Sequence, residues 1–167
     1  REGIPIITAS TRRIPPDMID QRAKTLNYLN SIMAKTEANI SGVAEALMLD
    51  RNGYVAECSA DNVFLVKGGE VSTPGREFPI LAGVTRGVVL ELAGRLDIPA
   101  RECALTLHDV YTADECFLTG TGAELIPVTS VDARTIGNGE PGPVFVRLLE
   151  EFRKLRTSEG EEIVQGK

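Results

Sequence analysis

The sequence of 167 residues has only three cysteines, and their placement excludes two kinds of protein. Cys58, Cys103 and Cys116 are odd in number and lack the spacing of metal ligands, so neither a disulfide framework nor a zinc site is indicated. We expect all three to be small buried hydrophobic residues. No metal-binding residue is predicted.

Long hydrophobic runs and clusters of basic residues are also missing. The longest apolar runs, such as Ala44 to Leu49, are far shorter than the roughly 20 residues that cross a bilayer. The formal net charge is -6 and the basic residues are scattered, whereas a protein that neutralises phosphates carries them in a stripe. We therefore expect a soluble, cytoplasmic protein that binds neither membranes nor nucleic acid.

The composition is that of a folded domain. Hydrophobic residues make up 43% and charged residues 25% of the chain, and its length is close to the usual size of one domain. We predict a cofactor-binding domain over residues 1–156 and a polar tail over residues 157–167. Because the chain begins with Arg1 and leads directly into a strand-like run, we expect that a small N-terminal domain is absent.

The hydrophobic pattern predicts strands and helices in irregular succession. Strands are predicted at residues 4–10, 45–49, 54–58, 62–67, 70–73, 100–105, 115–119 and 125–131, with glycine turns at Asn52-Gly53 and Gly68-Gly69. Helices are predicted from Lys24 to near Gly42, after an N-cap at Thr85, from Leu107, and over Pro143 to Leu155. This mixture predicts an α+β fold with a barrel-like sheet.

Lys24 is a candidate for covalent chemistry with an aldehyde. It is one of five lysines, and an apolar helical face with Leu26, Tyr28 and Leu29 follows it. Burial against such a face would lower the pKa of the amine, which a Schiff-base lysine requires. Tyr28 would share that face, four residues on. The alternatives are a solvated surface lysine and a tyrosine packed in the core.

Glu57 and two short turns are further candidates. Glu57 falls at a predicted strand end in a half-buried position, where its carboxylate needs a partner that is either an arginine or a protonated ring nitrogen. Leu81 to Arg86 brings a loop to the start of a helix, and Gly120 to Glu124 follows a strand, so both could bind an anion through backbone N–H groups. Each could also be an ordinary turn.

Four segments, in this order and spacing, resemble the class IV (fold type IV) aminotransferases, most closely the branched-chain amino-acid enzymes. They are RAKTLNYLNSIMAKTEA, LDRNGYVAECSADNVFLV, ILAGVTR and ADECFLTGTGAELIPV. The likeness covers Ile6 to Leu155 and corresponds to the C-terminal, cofactor-binding portion of such enzymes. It implies a pseudo-barrel of mixed strands flanked by helices, and a homodimer or larger homo-oligomer.

The resemblance implies a site for pyridoxal 5'-phosphate. Lys24 would hold the aldehyde of the cofactor, Tyr28 would bind its phenolic oxygen, and Glu57 would pair with its ring nitrogen. The ring and the phosphate would be contacted by Leu81, Gly83, Val84, Thr85 and Thr121. The substrate carboxylate would be received by Thr121, Gly122 and Ala123. Cys58, Asp61 and Gly122 depart from the family pattern and leave the substrate preference open.

The implied activity is ping-pong transamination of leucine, isoleucine and valine with 2-oxoglutarate. A D-amino-acid transaminase and an aminodeoxychorismate lyase share the lysine and the glutamate, so these residues do not separate the three activities. A hypothesis of another class is a non-catalytic fragment that folds, associates or binds the cofactor weakly. It follows from the expected absence of the N-terminal domain, which contributes further site residues in the family.

Overall fold

The computed structural model of the chain describes residues 2–158. The strands are β1 (Ile4–Thr8), β2 (Glu45–Leu49), β3 (Val55–Cys58), β4 (Asn62–Lys67), β5 (Glu70–Pro74), β6 (Ala100–Cys103), β7 (Glu115–Gly120), β8 (Glu124–Val131) and β9 (Arg134–Thr135). The helices are α1 (Leu29–Ile40), α2 (Val84–Arg95), α3 (Leu107–Tyr111) and α4 (Pro143–Ser158). Every predicted strand is present, with small differences at the ends, whereas β9 was not predicted.

The strands form one mixed sheet that closes on itself. Its order is β3-β2-β1-β8-β7-β4-β5-β6, and β9 pairs with β8. β1 runs parallel to both of its neighbours and β5 runs parallel to β6, while the other ladders are antiparallel. The two ends of the sheet meet where the Val55 N–H donates to the Leu105 carbonyl at 2.8 Å. The predicted α+β pseudo-barrel flanked by helices is confirmed.

Alternation of side chains along the strands creates an inner and an outer core. Along β4, Val63 and Leu65 face the interior of the barrel, whereas Phe64 faces the layer formed with α2 and α4. The Phe64 ring stacks on that of Phe117 in β7, with centroids 5.1 Å apart. Burying each such ring contributes about 1.5–3 kcal/mol. These contacts fix the ends of β4 and β7, where several candidate residues lie.

The cysteines behave largely as predicted. Cys58 and Cys116 are buried free thiols in the inner core, and Cys103 is partly buried against it. Burial raises the pKa of the Cys116 thiol to about 12 and that of Cys58 well above its ordinary value. Both thiols are therefore neutral packing groups at physiological pH.

Both predicted glycine turns form, but only one is a tight hairpin. Gly68 and Gly69 have φ angles of 57° and 80°, which suits the two-residue turn between β4 and β5. The Asn52-Gly53 pair instead belongs to a longer loop between β2 and β3. There the Asp50 side chain accepts hydrogen bonds from the N–H groups of Asn52 and Tyr54, both at 2.8 Å. This loop sets where β3, and with it Glu57, begins.

Helix α1 begins later than the sequence pattern indicated. Because it starts at Leu29, Lys24 lies before it in an irregular segment, and the prediction of Lys24 at the helix start is wrong. The buried face of α1 consists of Ala34 and Ala38, which pack against Met48 in a small third core. These short side chains allow the helix to lie close to β1 and β2.

The apolar pattern of α1 and the residues before it faces outward. Leu26 is 95% exposed and Ile32 is 57% exposed, and Leu29 and Met33 are exposed as well. The expectation that this face covers Lys24 is therefore wrong for the described residues. Periodic apolar positions identify a shared helical face but not the surface that this face covers.

Two helix ends also differ from the predictions. Gly83 is the N-cap of α2, with φ -62° and ψ 141°, so the prediction of Thr85 as the N-cap is wrong. Helix α4 continues through Thr157 to Ser158, and residues 159–167 of the predicted tail lie outside the described residues. Within residues 2–158, no helix combines the length and the apolar character needed to cross a membrane.

Candidate active site

Lys24 and Tyr28 form the rim of an open pocket. They lie in an irregular segment in which the N–H groups of Thr25 and Tyr28 donate to carbonyls two residues earlier, at 2.8 and 3.0 Å. This backbone brings Lys24 Nζ to 3.2 Å from Tyr28 Oη. The two side chains therefore meet, as expected, but through a turn and not through a shared helical face. Both remain exposed at the mouth of the pocket.

Side chains of α1 anchor the chain on the N-terminal side of this segment. The Asn30 side chain donates to the Arg12 carbonyl at 2.8 Å and accepts from the Ile14 N–H at 3.2 Å. The Glu37 carboxylate accepts the N–H groups of Ser10 and Thr11 at 2.6 and 3.0 Å. Partial burial raises the pKa of Glu37, but hydrogen bonds from Thr11 and Ser10 outweigh it and hold this pKa at about 2.

Glu57 forms the floor of the same pocket, together with Arg13, Asn62 and Leu81. Glu57 is 3% exposed, more deeply buried than the half-buried position that we expected. Its Oε1 accepts from the Arg13 guanidinium in a buried ion pair. Its Oε2 accepts from Asn62 Nδ2 and from the Leu81 N–H, both at 3.0 Å. Both carboxylate oxygens are thus fixed in direction.

Opposing effects act on the ionisation of Glu57. Burial raises the pKa of this carboxyl, while the charge of Arg13, the Leu81 N–H and the charge of Lys24 lower it, and burial prevails. A buried carboxylate without such partners would be protonated. Of the two partners considered from the sequence, arginine is present in the structure, at Oε1.

Sequence reasoning missed Arg13, Asn62 and Ser31. Arg13 is distant from Glu57 in sequence, and its Nη1 donates to Ser31 Oγ at 2.7 Å. Asn62 also donates to the Leu81 carbonyl at 2.8 Å, which ties the start of β4 to the loop before α2. A buried glutamate does call for a cationic partner, but no local pattern shows which of the arginines supplies it.

The two predicted anion-binding turns lie beside each other. The ladder between β4 and β7 pairs Asn62 with Thr119, so the turn after Gly120 emerges next to the start of β4. Val84 and Thr85, in the first turn of α2, line one cleft together with Thr121. Backbone N–H groups at a helix N-terminus, with the positive end of the helix dipole, are suited to a phosphate.

Glycines permit close approaches around these turns. A Cβ atom at Gly83 would lie 2.3 Å from Asn62 Oδ1, and one at Gly120 would lie 2.0 Å from Asp61 Oδ1. Any side chain at either position would therefore displace a neighbouring polar group. Gly83 matters most, because it separates Leu81 on the floor of the pocket from the first turn of α2.

The structure thus assembles most of the predicted residues in two adjoining places. Lys24, Tyr28, Glu57 and Leu81 line the pocket, and Val84, Thr85 and Thr121 line the neighbouring cleft, with Gly83 between them in sequence. Gly122 and Ala123 lie in the turn between β7 and β8 and are not among the lining residues of either. An amine, a phenol, a fixed carboxylate and an anion-binding helix end are therefore neighbours.

Comparison with known proteins identifies the family. Residues 1–131 match the model of the class IV amino-transferases. The chain belongs to this family. The resemblance drawn from the four sequence segments is confirmed, and so is its closeness to the branched-chain enzymes.

Relatives of this aminotransferase chain share its sequence and its fold. A Methanocaldococcus jannaschii protein, assigned by name to the branched-chain-amino-acid aminotransferases, is 48% identical over 95% of this chain and 55% of its own length. The branched-chain aminotransferase of Thermoproteus uzoniensis, solved with norvaline, is 40% identical, with a TM-score of 0.89 over 92% of this chain and 51% of that one. The Escherichia coli enzyme is 40% identical, with a TM-score of 0.92 over 97% of this chain and 55% of that one. The chain therefore spans about half the length of the relatives it matches.

Proposed function

We propose that the protein containing this chain is a pyridoxal-phosphate-dependent aminotransferase of branched-chain amino acids, in which Lys24 holds the cofactor. The observation that carries the proposal is the meeting of the Lys24 amine, the Tyr28 phenol and the fixed Glu57 carboxylate around one pocket. Relatives at 40–48% identity are named branched-chain aminotransferases. One solved relative carries pyridoxamine 5'-phosphate and another 4-methylvaleric acid.

The polar groups of the site fit the cofactor group by group. The Lys24 amine suits its aldehyde, the Tyr28 hydroxyl its phenolic oxygen, and the Glu57 carboxylate its ring nitrogen. Leu81 offers an apolar side chain to the ring. The phosphate would be held by backbone N–H groups of Val84 and Thr85 and by Thr121, because these line a cleft at the positive end of α2.

When bound, the cofactor supplies an electron sink for the carbanion that is left when a proton leaves the α-carbon of an amino acid. Lys24 Nζ is the base that removes this proton and later returns it. Tyr28 Oη, 3.2 Å away, orients the amine. Glu57 stays ionised and keeps a proton on the ring nitrogen facing it, while the turn at Thr121 to Ala123 receives the substrate carboxylate.

We infer a ping-pong reaction in which leucine, isoleucine or valine donates the amino group and 2-oxoglutarate accepts it. The family membership and the named relatives support transamination of branched-chain substrates. A panel of these amino acids, D-alanine and aminodeoxychorismate tests the assignment. Turnover confined to D-alanine or to aminodeoxychorismate would assign the other activities of this fold instead.

The attachment of the cofactor can be tested directly. We expect that borohydride reduction after addition of pyridoxal phosphate leaves a modified peptide containing Lys24. Lys24→Ala should abolish this modification, whereas Lys154→Ala on the exposed face of α4 should leave it unchanged. A parent chain that remains unmodified would instead support a folded piece without cofactor chemistry.

The exposed apolar residues before and within α1 support self-association. Leu29 and Ile32 are among large apolar side chains that face outward, and burying such a surface is favourable. We expect sedimentation analysis to show a dimer or larger oligomer that Leu29→Lys with Ile32→Lys converts to a monomer. Val146→Lys, at an exposed apolar position of α4, is the matched control and should leave the oligomer intact.

A further inference from the structure

We propose that Arg13 is a positioning residue that keeps the Glu57 carboxylate charged and directed into the pocket. The role rests on the proposed function, because Glu57 is the group that would face the ring nitrogen of the cofactor. Arg13 itself does not line up with any of the sequence motifs that suggested the site. It is placed there by tertiary structure alone.

The Arg13 side chain is divided between two elements of the fold. Its Nη2 pairs with Glu57 Oε1 in β3, and its Nη1 donates to Ser31 Oγ in the first turn of α1 at 2.7 Å. The side chains of Arg13 and Glu57 are only 8% and 4% exposed. The guanidinium therefore holds the carboxylate from one side while Asn62 and the Leu81 N–H hold it from the other.

The contact with Ser31 connects the floor of the pocket to its rim. The main-chain N–H of Arg13 donates to the Leu49 carbonyl at 2.9 Å, which fixes Arg13 beside β2. Residues 13–31 thus form a loop closed by the Arg13–Ser31 hydrogen bond, and this loop carries both Lys24 and Tyr28. One guanidinium therefore sets the direction of Glu57 and closes the base of the segment that presents the amine.

The charges near Glu57 make Arg13 its principal counter-ion. Arg13 and Lys24 are the cations that act on the carboxyl, and the adjacent Cys58 thiol is neutral because burial raises its pKa. Lys24 lies at the exposed rim, whereas Arg13 contacts the carboxylate directly. Without Arg13, a carboxyl this deeply buried would take up a proton. A protonated carboxyl could no longer favour a protonated ring nitrogen opposite it.

The test measures the ionisation of Glu57 in the full chain without cofactor. In protein labelled with ¹³C-glutamate, the Glu57 carboxyl signal is assigned by its loss in Glu57→Gln. We expect Arg13→Gln, which can still donate a hydrogen bond but lacks the charge, to raise the pKa of Glu57 by about 1–3 pH units. Arg13→Lys, which keeps the charge, should restore most of the difference.

The neighbouring Arg12 provides the matched control. It is exposed, and its nearest recorded partner is the Ala9 carbonyl at 3.4 Å, so Arg12→Gln should leave the Glu57 titration unchanged. Equal titrations of Glu57 in the parent, Arg13→Gln and Arg12→Gln would overturn the proposal. A second measurement needs no Arg13 variant: the Arg13 side-chain ¹⁵N signal of the parent should titrate with the midpoint of Glu57. Absence of that coupling would also overturn it.

A cofactor arm separates positioning from simple structural support. With pyridoxal phosphate added, the pH dependence of the visible absorbance should shift in Arg13→Gln and be restored in Arg13→Lys. An unchanged absorbance profile despite a shifted Glu57 titration would reduce Arg13 to a structural ion pair. If the parent binds no cofactor, the proposed function fails, while the carboxyl titration still decides whether Arg13 controls the charge of Glu57.

Discussion

Glu57 on the floor of the pocket and Lys24 on its rim differ in how firmly the chain holds them. Glu57 is buried, and both of its oxygens accept hydrogen bonds from groups of three different elements or loops. Lys24 is exposed, and its recorded partner is Tyr28, four residues away. The floor is therefore a tertiary structure in itself, whereas the rim depends on a local turn and on anchors in α1.

This difference teaches which half of the chemistry is already organised in the chain. The group that would face the ring nitrogen has a fixed direction before any cofactor binds, which is how preorganised sites reduce the cost of binding. The group that would hold the aldehyde can still move. Substitutions on the floor should therefore change stability strongly, and substitutions on the rim should change mainly binding.

The largest effect is expected from removing the carboxylate of the floor. Glu57→Ala leaves the Arg13 guanidinium buried without its ion-pair partner and should lower the free energy of unfolding by about 3–5 kcal/mol, measured by urea denaturation. Glu91→Ala, which breaks the exposed pair with Arg95 in α2, should produce no comparable loss. Equal midpoints for the two variants would show that the floor is not held as described.

A pair of glycines in one region tests the close packing beside the floor. Gly83→Ala would push on Asn62 Oδ1 and disturb the contact of Asn62 with Glu57, so we expect a loss of about 1–3 kcal/mol by urea denaturation. Gly87→Ala, in the same helix, has no atom within 4 Å of the added Cβ and should instead stabilise by about 0.5–1 kcal/mol. Effects of the same sign at both positions would contradict the geometry.

The anchor of the rim should depend on acidic pH. Hydrogen bonds hold the pKa of Glu37 at about 2, below its ordinary value of 4.5, so its contribution to stability is present above pH 4.5 and is lost as the pH falls towards 2. Thermal unfolding of the parent should therefore lose more stability between pH 5 and about 3 than Glu37→Gln does. A variant with the same acid dependence as the parent would remove Glu37 from this role.

The smallest effect on stability is expected at Tyr28. Tyr28→Phe removes an exposed hydroxyl and should change the free energy of unfolding by less than about 0.5 kcal/mol. It should nevertheless weaken the binding of pyridoxal phosphate by about 2- to 10-fold, the worth of one hydrogen bond, as measured by absorbance titration. Strong destabilisation would mean that the rim is a structural element and not an adaptable one.

Local sequence signals predicted the elements that depend on neighbouring residues. The Gly68-Gly69 turn follows from glycine backbone freedom, and the alternation in β4 follows from the two faces of a strand. Signals failed where tertiary packing chose between equal options. In α1 the short Ala34 and Ala38 side chains are buried, whereas the larger apolar residues that dominated the pattern are exposed.

The candidate site divides in the same way. Lys24, Tyr28 and Glu57 were named from the sequence because their chemistry and family segments were recognisable. Arg13 could not be named, since its role arises only when β3, α1 and the segment after β1 converge. Long-range ion pairs of this kind leave no periodic or local trace in a sequence.

The sequence by itself determined the α+β fold, the family and the identity of the reactive groups, because periodicity, turn chemistry and ordered motifs are local properties of the chain. Only the tertiary structure decided that Glu57 is fixed by Arg13, Asn62 and Leu81, and that Lys24 stands exposed before α1. The physical reason is that burial and charge pairing depend on which distant segments meet, and a buried carboxylate is stable only where such segments supply its partners.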